Sequence, residues 1–256
     1  MIAPIFVSHG SPTLILDDVP ARDFLRELGQ AMPRPKAILV ASAHWETELA
    51  AVNAVAVNDT IHDFGGFPDI LYQQRYDAPG DPALAARIAG LLAKAGVPAG
   101  TDTQRGLDHG AWVPLKLMYP EADIPVLQIS LQTHLGPAHH LRLGQALAEL
   151  AKDDVLILGS GSFTHDLRSV DWRGPNVAPD WVTGFADWVT AALADGRIED
   201  LLKYRTLAPH AVRNHPTEEH FLPLFVALGA GGLQARNLHQ SLMFSVLRMD
   251  AFEFAA

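Results

Sequence analysis

Two stretches near the start of the chain, Ile2-Ala3-Pro4-Ile5-Phe6-Val7 and Ala37-Ile38-Leu39-Val40-Ala41-Ser42, are apolar almost without a break. A strand with one wetted face alternates apolar and polar side chains, whereas a strand that is apolar throughout is covered on both faces. This pattern restricts the chain to a sheet flanked by helices, an α/β fold. Each run breaks into small residues and a histidine, in Ser8-His9-Gly10-Ser11-Pro12 and in Ala43-His44-Trp45-Glu46. Residues 125–131 read as a third buried strand. Residues 155–158 form a fourth, which leads through Gly159-Ser160-Gly161-Ser162 to Phe163-Thr164-His165-Asp166. Residues 51–57 read as a further strand, and 235–238 with 241–249 as a terminal hairpin or edge strands.

Helical spacing occupies the intervals. It marks 21–30, a segment starting at Asp81-Pro82 and ended by Gly96, a short helix over 113–118, 139–152 and 180–194. A last helix is expected over 216–228, capped by Asn214 or Thr217 and stopped at Gly229-Ala230-Gly231-Gly232, with His220 about one turn inside it. No repeat, low-complexity tract or linker divides the chain, so residues 1–256 read as one domain.

Composition narrows the function. The net charge of −10 argues against nucleic acid and anionic membranes as partners. The first ten residues lack a signal-peptide start and no apolar run is long enough for a bilayer, so a cytoplasmic protein is expected. There is no cysteine, and there are 12 histidines. Any transition metal must then be held by imidazole and carboxylate.

His9, His44 and His165 each lie one to a few residues past the end of a buried strand, and His109 sits in a glycine-flanked loop at Asp108-His109-Gly110. Ligands of open α/β sheets gather beyond the carboxyl ends of the strands, so these residues and the 213–220 stretch can converge there. Each taken singly also reads as a hydrogen-bonded loop residue. His62, His134, His139, His140, His210 and His239 have no comparable setting. Glu218 and Glu219 suit a first helical turn by charge alone, and a site of two histidines and one carboxylate keeps Glu219 a candidate ligand.

Several motifs, in order along nearly the whole chain, resemble one family. They are Ser8-His9-Gly10-Ser11-Pro12, Ser42-Ala43-His44-Trp45, Asp63-Phe64-Gly65-Gly66-Phe67-Pro68, residues 76–80, Asp108-His109-Gly110-Ala111-Trp112-Val113-Pro114-Leu115, Gly159-Ser160-Gly161-Ser162-Phe163-Thr164-His165-Asp166-Leu167 and His215-Pro216-Thr217-Glu218-Glu219-His220. Together they resemble the 4,5-DOPA extradiol dioxygenases, of the class III (LigB-type) ring-cleavage enzymes. The resemblance, joined to the strand pattern, implies a single-domain three-layer sandwich with a mostly parallel central sheet flanked by helices. It implies metal ligands at His9, His44 and His220 and acid/base roles for His109 and His165; His215, by its place next to Pro216, reads as a residue that orients the loop behind the ligands or touches the substrate. Many class III relatives carry glutamate at the third ligand position. Three neutral imidazoles suit one divalent metal, either Fe(II), needed for turnover, or Zn(II), with His165 a candidate fourth ligand of zinc.

The implied reaction opens the ring of a catechol with O2, outside the diol, to a semialdehyde. Two rivals are a zinc hydrolase on the same three histidines and a non-catalytic binding protein, which predicts loss of the acid/base histidines, whereas His109 and His165 are both present. The catechol itself is not legible. Arg168, Arg173 and Lys203 are candidates to meet a charged substituent, the 64–67 loop could wall the pocket, and a homo-oligomer stays open.

Overall fold

The computed structural model describes residues 1–172, 176–232 and 234–255. Arg173 lies outside the described residues. Ten strands occur among them: β1 (Ile5–Ser8), β2 (Ala37–Glu46), β3 (Ala50–Asn53), β4 (Ala99–Asp102), β5 (Val126–Leu131), β6 (Val155–Gly161), β7 (Gln234–His239), β8 (Leu242–Met243), β9 (Leu247–Arg248) and β10 (Ala251–Ala255). The helices are α1 (Pro20–Ala31), α2 (Asp69–Tyr72), α3 (Pro82–Lys94), α4 (His109–Met118), α5 (Gly136–Leu147), α6 (Asp180–Ala194), α7 (Ile198–Leu201), α8 (Tyr204–Leu207), α9 (Ala211–Asn214) and α10 (Leu222–Gly231).

Eight strands form one sheet in the order β4-β3-β5-β2-β6-β1-β10-β7, and β8 pairs with β9 in a separate ribbon. The centre of the sheet, β5-β2-β6-β1, is parallel, and β10 and β7 extend it antiparallel. The expected α/β layering is observed. Along β2, Leu39 and Ala41 join a core with Leu127, Ile157 and the apolar side chains of α3, α5 and α10. Ile38 and Val40 join a second core on the opposite face, with Leu156, Leu158, Leu25 of α1 and Trp112 of α4. The unbroken apolar runs therefore reflect burial on both faces. No helix among the described residues is long and apolar enough to cross a membrane.

Several boundaries differ from the sequence reading. The last helix begins at Leu222, and residues 216–221 form turns. Pro223 explains this. In a helix starting at Pro216 it would sit in the interior, without an N–H and against a carbonyl, whereas in α10 it occupies the first turn. Asn214 does not cap: its side chain donates to the carbonyls of Trp181 and His210. Thr217 donates to Glu219. Gly229 and Gly231 lie inside α10; a Cβ on Gly229 would overlap the Leu141 carbonyl of α5, so this glycine permits close helix packing and does not end the helix.

Helix α4 starts at His109, earlier than expected, because the Asp108 carboxylate accepts the Ala111 N–H at 3.2 Å as an N-cap. Helix α5 ends at Leu147 and passes into tighter turns over Ala148–Asp153. Strand β3 stops at Asn53, whose side chain leaves the ladder pattern to bond Asn58 and the Gln128 N–H. Strands β4 and β10 were not legible in the sequence. β4 is a half-exposed edge with no apolar run, and β10 was hidden behind the 241–249 segment, where the chain instead turns through Phe244 and Ser245 at positive φ.

A candidate metal centre at the carboxyl rim of the sheet

β1, β6 and β2 are adjacent and parallel, so their carboxyl ends share one rim. His9 follows β1 directly, His44 lies near the end of β2, and His165 follows the end of β6. The turn over residues 216–221 brings His220 to the same rim. The Ser162 N–H donates to the His220 carbonyl at 2.8 Å, and the His9 N–H donates to the Gly161 carbonyl at 2.9 Å. The first contact needs a glycine in β6, since a Cβ on Gly161 would overlap the His220 carbonyl oxygen. The Gly-Ser-Gly-Ser stretch is thus a strand end shaped to accept the histidine turn.

Three rings converge. His44 Nε2 lies 3.1 Å from His9 Nε2 and 3.3 Å from His220 Nε2. Nitrogens bound to one zinc-sized ion at about 2.0–2.1 Å lie about 3.0–3.4 Å apart. The other nitrogen of each ring faces an oxygen. His9 Nδ1 lies 3.1 Å from Ser160 Oγ, His220 Nδ1 lies 2.9 Å from Glu219 Oε1, and His44 Nδ1 lies 3.5 Å from Asp63 Oδ2. These partners favour a proton on every Nδ1, which turns three bare Nε2 lone pairs toward one another. Three lone pairs at this separation repel unless a cation sits among them, so the donor set fits a divalent metal.

The support under His9 can be traced to a proline. Pro114 lies inside α4 and has no N–H for the Gly110 carbonyl one turn before it. Ser160 Oγ donates to that free carbonyl. Its lone pair is then left to accept from His9 Nδ1. Below His44, the buried Asp108 carboxylate accepts from Ser42 Oγ at 2.6 Å, Gln128 Nε2 at 2.7 Å and Arg105 Nη2 at 2.9 Å. Arg105 also donates to the His44 carbonyl.

His109 and His165 flank the trio. The His109 ring lies 3.9 Å from that of His44, centroid to centroid, and His165 stacks on His220 at 3.4 Å. Burial, reinforced by the neighbouring imidazoles, pushes His165 down to about 3. Burial pushes His44 down to about 4, and holds His9 and His220 well below the ordinary histidine range. All five imidazoles line a cavity of about 330 Å³, whose remaining wall includes Phe64, Phe67, Leu167, Trp172 and Leu247. The rim is therefore a pocket of bare imidazole nitrogens with aromatic and aliphatic sides, sized for one small ring.

Other residues fall elsewhere. Glu219 lies near His165 and His220 and accepts from His220 Nδ1, so it stands behind that ring. Glu218 turns away to Tyr204 OH. His215 is fully buried behind the wall; its Nε2 donates to the Phe163 carbonyl, holding the loop that carries His165. Arg168 and Lys203 are exposed and do not line the cavity. His62, His139, His140 and His239 are engaged in local hydrogen bonds. Sequence reasoning gave no role to Asp63, Arg105, Asp108 or Ser160. Short polar residues beside site histidines were the available signal, and spacing alone does not distinguish them from loop residues.

The chain is similar to known proteins over nearly its full length. The family model described as the catalytic LigB subunit of aromatic ring-opening dioxygenase matches residues 4–248. A 4,5-DOPA dioxygenase extradiol from Beta vulgaris is 49% identical, over 98% of this chain and 96% of the relative. Another of that name from Escherichia coli (strain K12) is 42% identical, over 88% of this chain and 84% of the relative. The crystal structure of an uncharacterized protein from Escherichia coli K12 superposes with a TM-score of 0.85 at 34% identity, covering 100% of both chains. With the strand-end histidines in place on a matching fold, the chain belongs to the LigB family of aromatic ring-opening dioxygenases, and within it to the 4,5-DOPA extradiol dioxygenases.

Proposed function

We propose that this oxidoreductase uses one divalent metal, held by His9, His44 and His220, to open the ring of a catechol with O2, yielding a semialdehyde by cleavage outside the diol. The substrate is a DOPA-like or other dihydroxyphenyl compound. The observation that carries the reading is the meeting of three bare Nε2 atoms at the floor of an aromatic-walled cavity. When bound, the metal supplies positive charge that favours the ionised catechol and, as ferrous iron, a redox path that zinc lacks.

The protein side chains do the rest. Phe64, Phe67 and Trp172 line the cavity with aromatic surface against which a flat ring can pack. His165 is neutral at pH 7 and presents an acceptor for a hydroxyl proton. The negative charge of an ionising catechol beside it opposes the burial effect and favours its protonation. His109, on the opposite side of the trio, is placed to return a proton to oxygen. Glu219, Ser160 and Asp63 hold the ligand rings in the tautomer a metal requires.

The test is anaerobic reconstitution of metal-free protein with Fe(II), followed by a catechol panel and oxygen. The expected result is oxygen uptake and a yellow ring-opened product, abolished in His9→Ala, His44→Ala and His220→Ala. Turnover with zinc in the absence of oxygen would instead establish the hydrolase. No product from any catechol, or full activity in the three variants, would sink the dioxygenase.

A further inference from the structure

Asp63 lies in the irregular segment between β3 and α2, beside a stretch of glycine, aromatic residues and proline. The segment is pinned on both sides of it. The Ile61 N–H donates to the Leu107 carbonyl at 2.8 Å, Trp112 Nε1 donates to the Ile61 carbonyl at 3.0 Å, and the Tyr76 N–H donates to Thr60 Oγ1 at 2.7 Å. A loop tied this firmly presents one carboxylate to the α4 N-terminus. Asp63 Oδ1 accepts the His109 backbone N–H at 2.9 Å, and Oδ2 lies 3.0 Å from His109 Nδ1. The same Oδ2 stands 3.5 Å from His44 Nδ1. One carboxylate therefore accepts from the His109 backbone and stands within ion-pair distance of its ring.

We infer that Asp63 is a positioning residue for His109, fixing its ring in the Nδ1–H tautomer with Nε2 aimed into the cavity. The chemistry supports only this arrangement. An ionised carboxylate accepts and does not donate, so the nitrogen facing it must carry the hydrogen. Near neutral pH a carboxylate is ionised, so the atom facing Nδ1 is an acceptor. His109 is then anchored at its backbone and faced by an acceptor at Nδ1, leaving Nε2 as the single atom that exchanges protons with whatever occupies the pocket. The consequence for turnover rests on the acid/base role proposed above for His109; the tautomer does not.

The test uses Asp63→Asn, which keeps the size and one acceptor for the backbone N–H while turning an amide donor toward the ring. In zinc-loaded protein, ring-15N NMR, assigned with His109→Gln, is expected to show Nδ1–H for His109 in the parent and Nε2–H in Asp63→Asn. In Fe(II)-loaded protein of matched metal content, kcat is expected to fall about 10- to 100-fold with KM within about twofold. Asp63→Glu should recover part of kcat. If Asp63→Asn does not fold, Asp63→Ala and the parent spectrum still decide. Nε2–H in the parent, or an unchanged tautomer in both variants, overturns the inference. An unchanged kcat in Asp63→Asn with a switched tautomer overturns its link to turnover. A parent inactive toward every catechol defeats the proposed function, and the spectrum still reads the role of Asp63.

Discussion

At the scale of single residues, the rim depends on hydrogen-bond partners behind the three convergent rings more than on the rings themselves. Ser160 accepts from His9 only because Pro114 leaves the Gly110 carbonyl for the serine hydroxyl. Ser160→Ala should lower zinc affinity about 10- to 100-fold, read by competition with a chelator, and, by leaving the Gly110 carbonyl without its donor, should cost about 1–3 kcal/mol in denaturant unfolding. His140 is a contrasting case away from the cavity. It is fully buried, its Nδ1 donates to the Gly136 carbonyl at 2.7 Å, and its Nε2 accepts the Gln132 N–H at 3.2 Å. Burial pushes it down to about 4, the Gly136 bond offsetting part of the effect. Because this lies below the unfolded value near 6.5, the neutral ring contributes stability in full above about pH 6.5. That contribution is lost as pH falls through about 4, about 3 kcal/mol in all. Its ring-15N shifts should stay those of a neutral imidazole at pH 5.

At the scale of elements, the site exists because a strand end and a turn approach at backbone distance. Gly161→Ala places a methyl group against the His220 carbonyl, and that carbonyl is also the acceptor of the Ser162 N–H. The expected cost is about 1–3 kcal/mol in denaturant unfolding, with weaker zinc binding as His220 shifts. Gly229→Ala makes the same kind of clash with α5, far from the rim. It should cost a similar amount of stability and leave zinc affinity, per folded molecule, within about twofold. The pair separates a packing defect from a site defect.

For the whole molecule, the proposed metal ties together β1, β2 and the turn before α10, segments from both ends of the chain. A ligand that binds only the folded form stabilises it, by about 2.7 kcal/mol at a hundredfold excess over Kd. Calorimetry should therefore show the zinc-loaded protein melting about 5–10 °C above the metal-free protein, and His44→Ala should lose that increment. The three rings would then act as a clasp across the parallel strands.

The amino-acid sequence by itself determined the layer architecture, because burial on both faces leaves strands apolar at successive positions, and this is a local record. It also marked where the rim would lie, because chains leave buried strands through small residues, and His9, His44 and His165 stand at those exits. It marks where α10 begins as well, through Pro223, which a helix running from Pro216 would leave in its interior. It did not reveal β4 and β10, whose pairing partners, not their own side chains, make them strands. Only the tertiary structure decided which nitrogens face one another, and which carboxylate or hydroxyl stands behind each ring. Tautomer and aim are set by residues distant along the chain, such as Asp63 for His109 and Ser160 for His9, and hydrogen-bond direction leaves no periodic trace in a sequence.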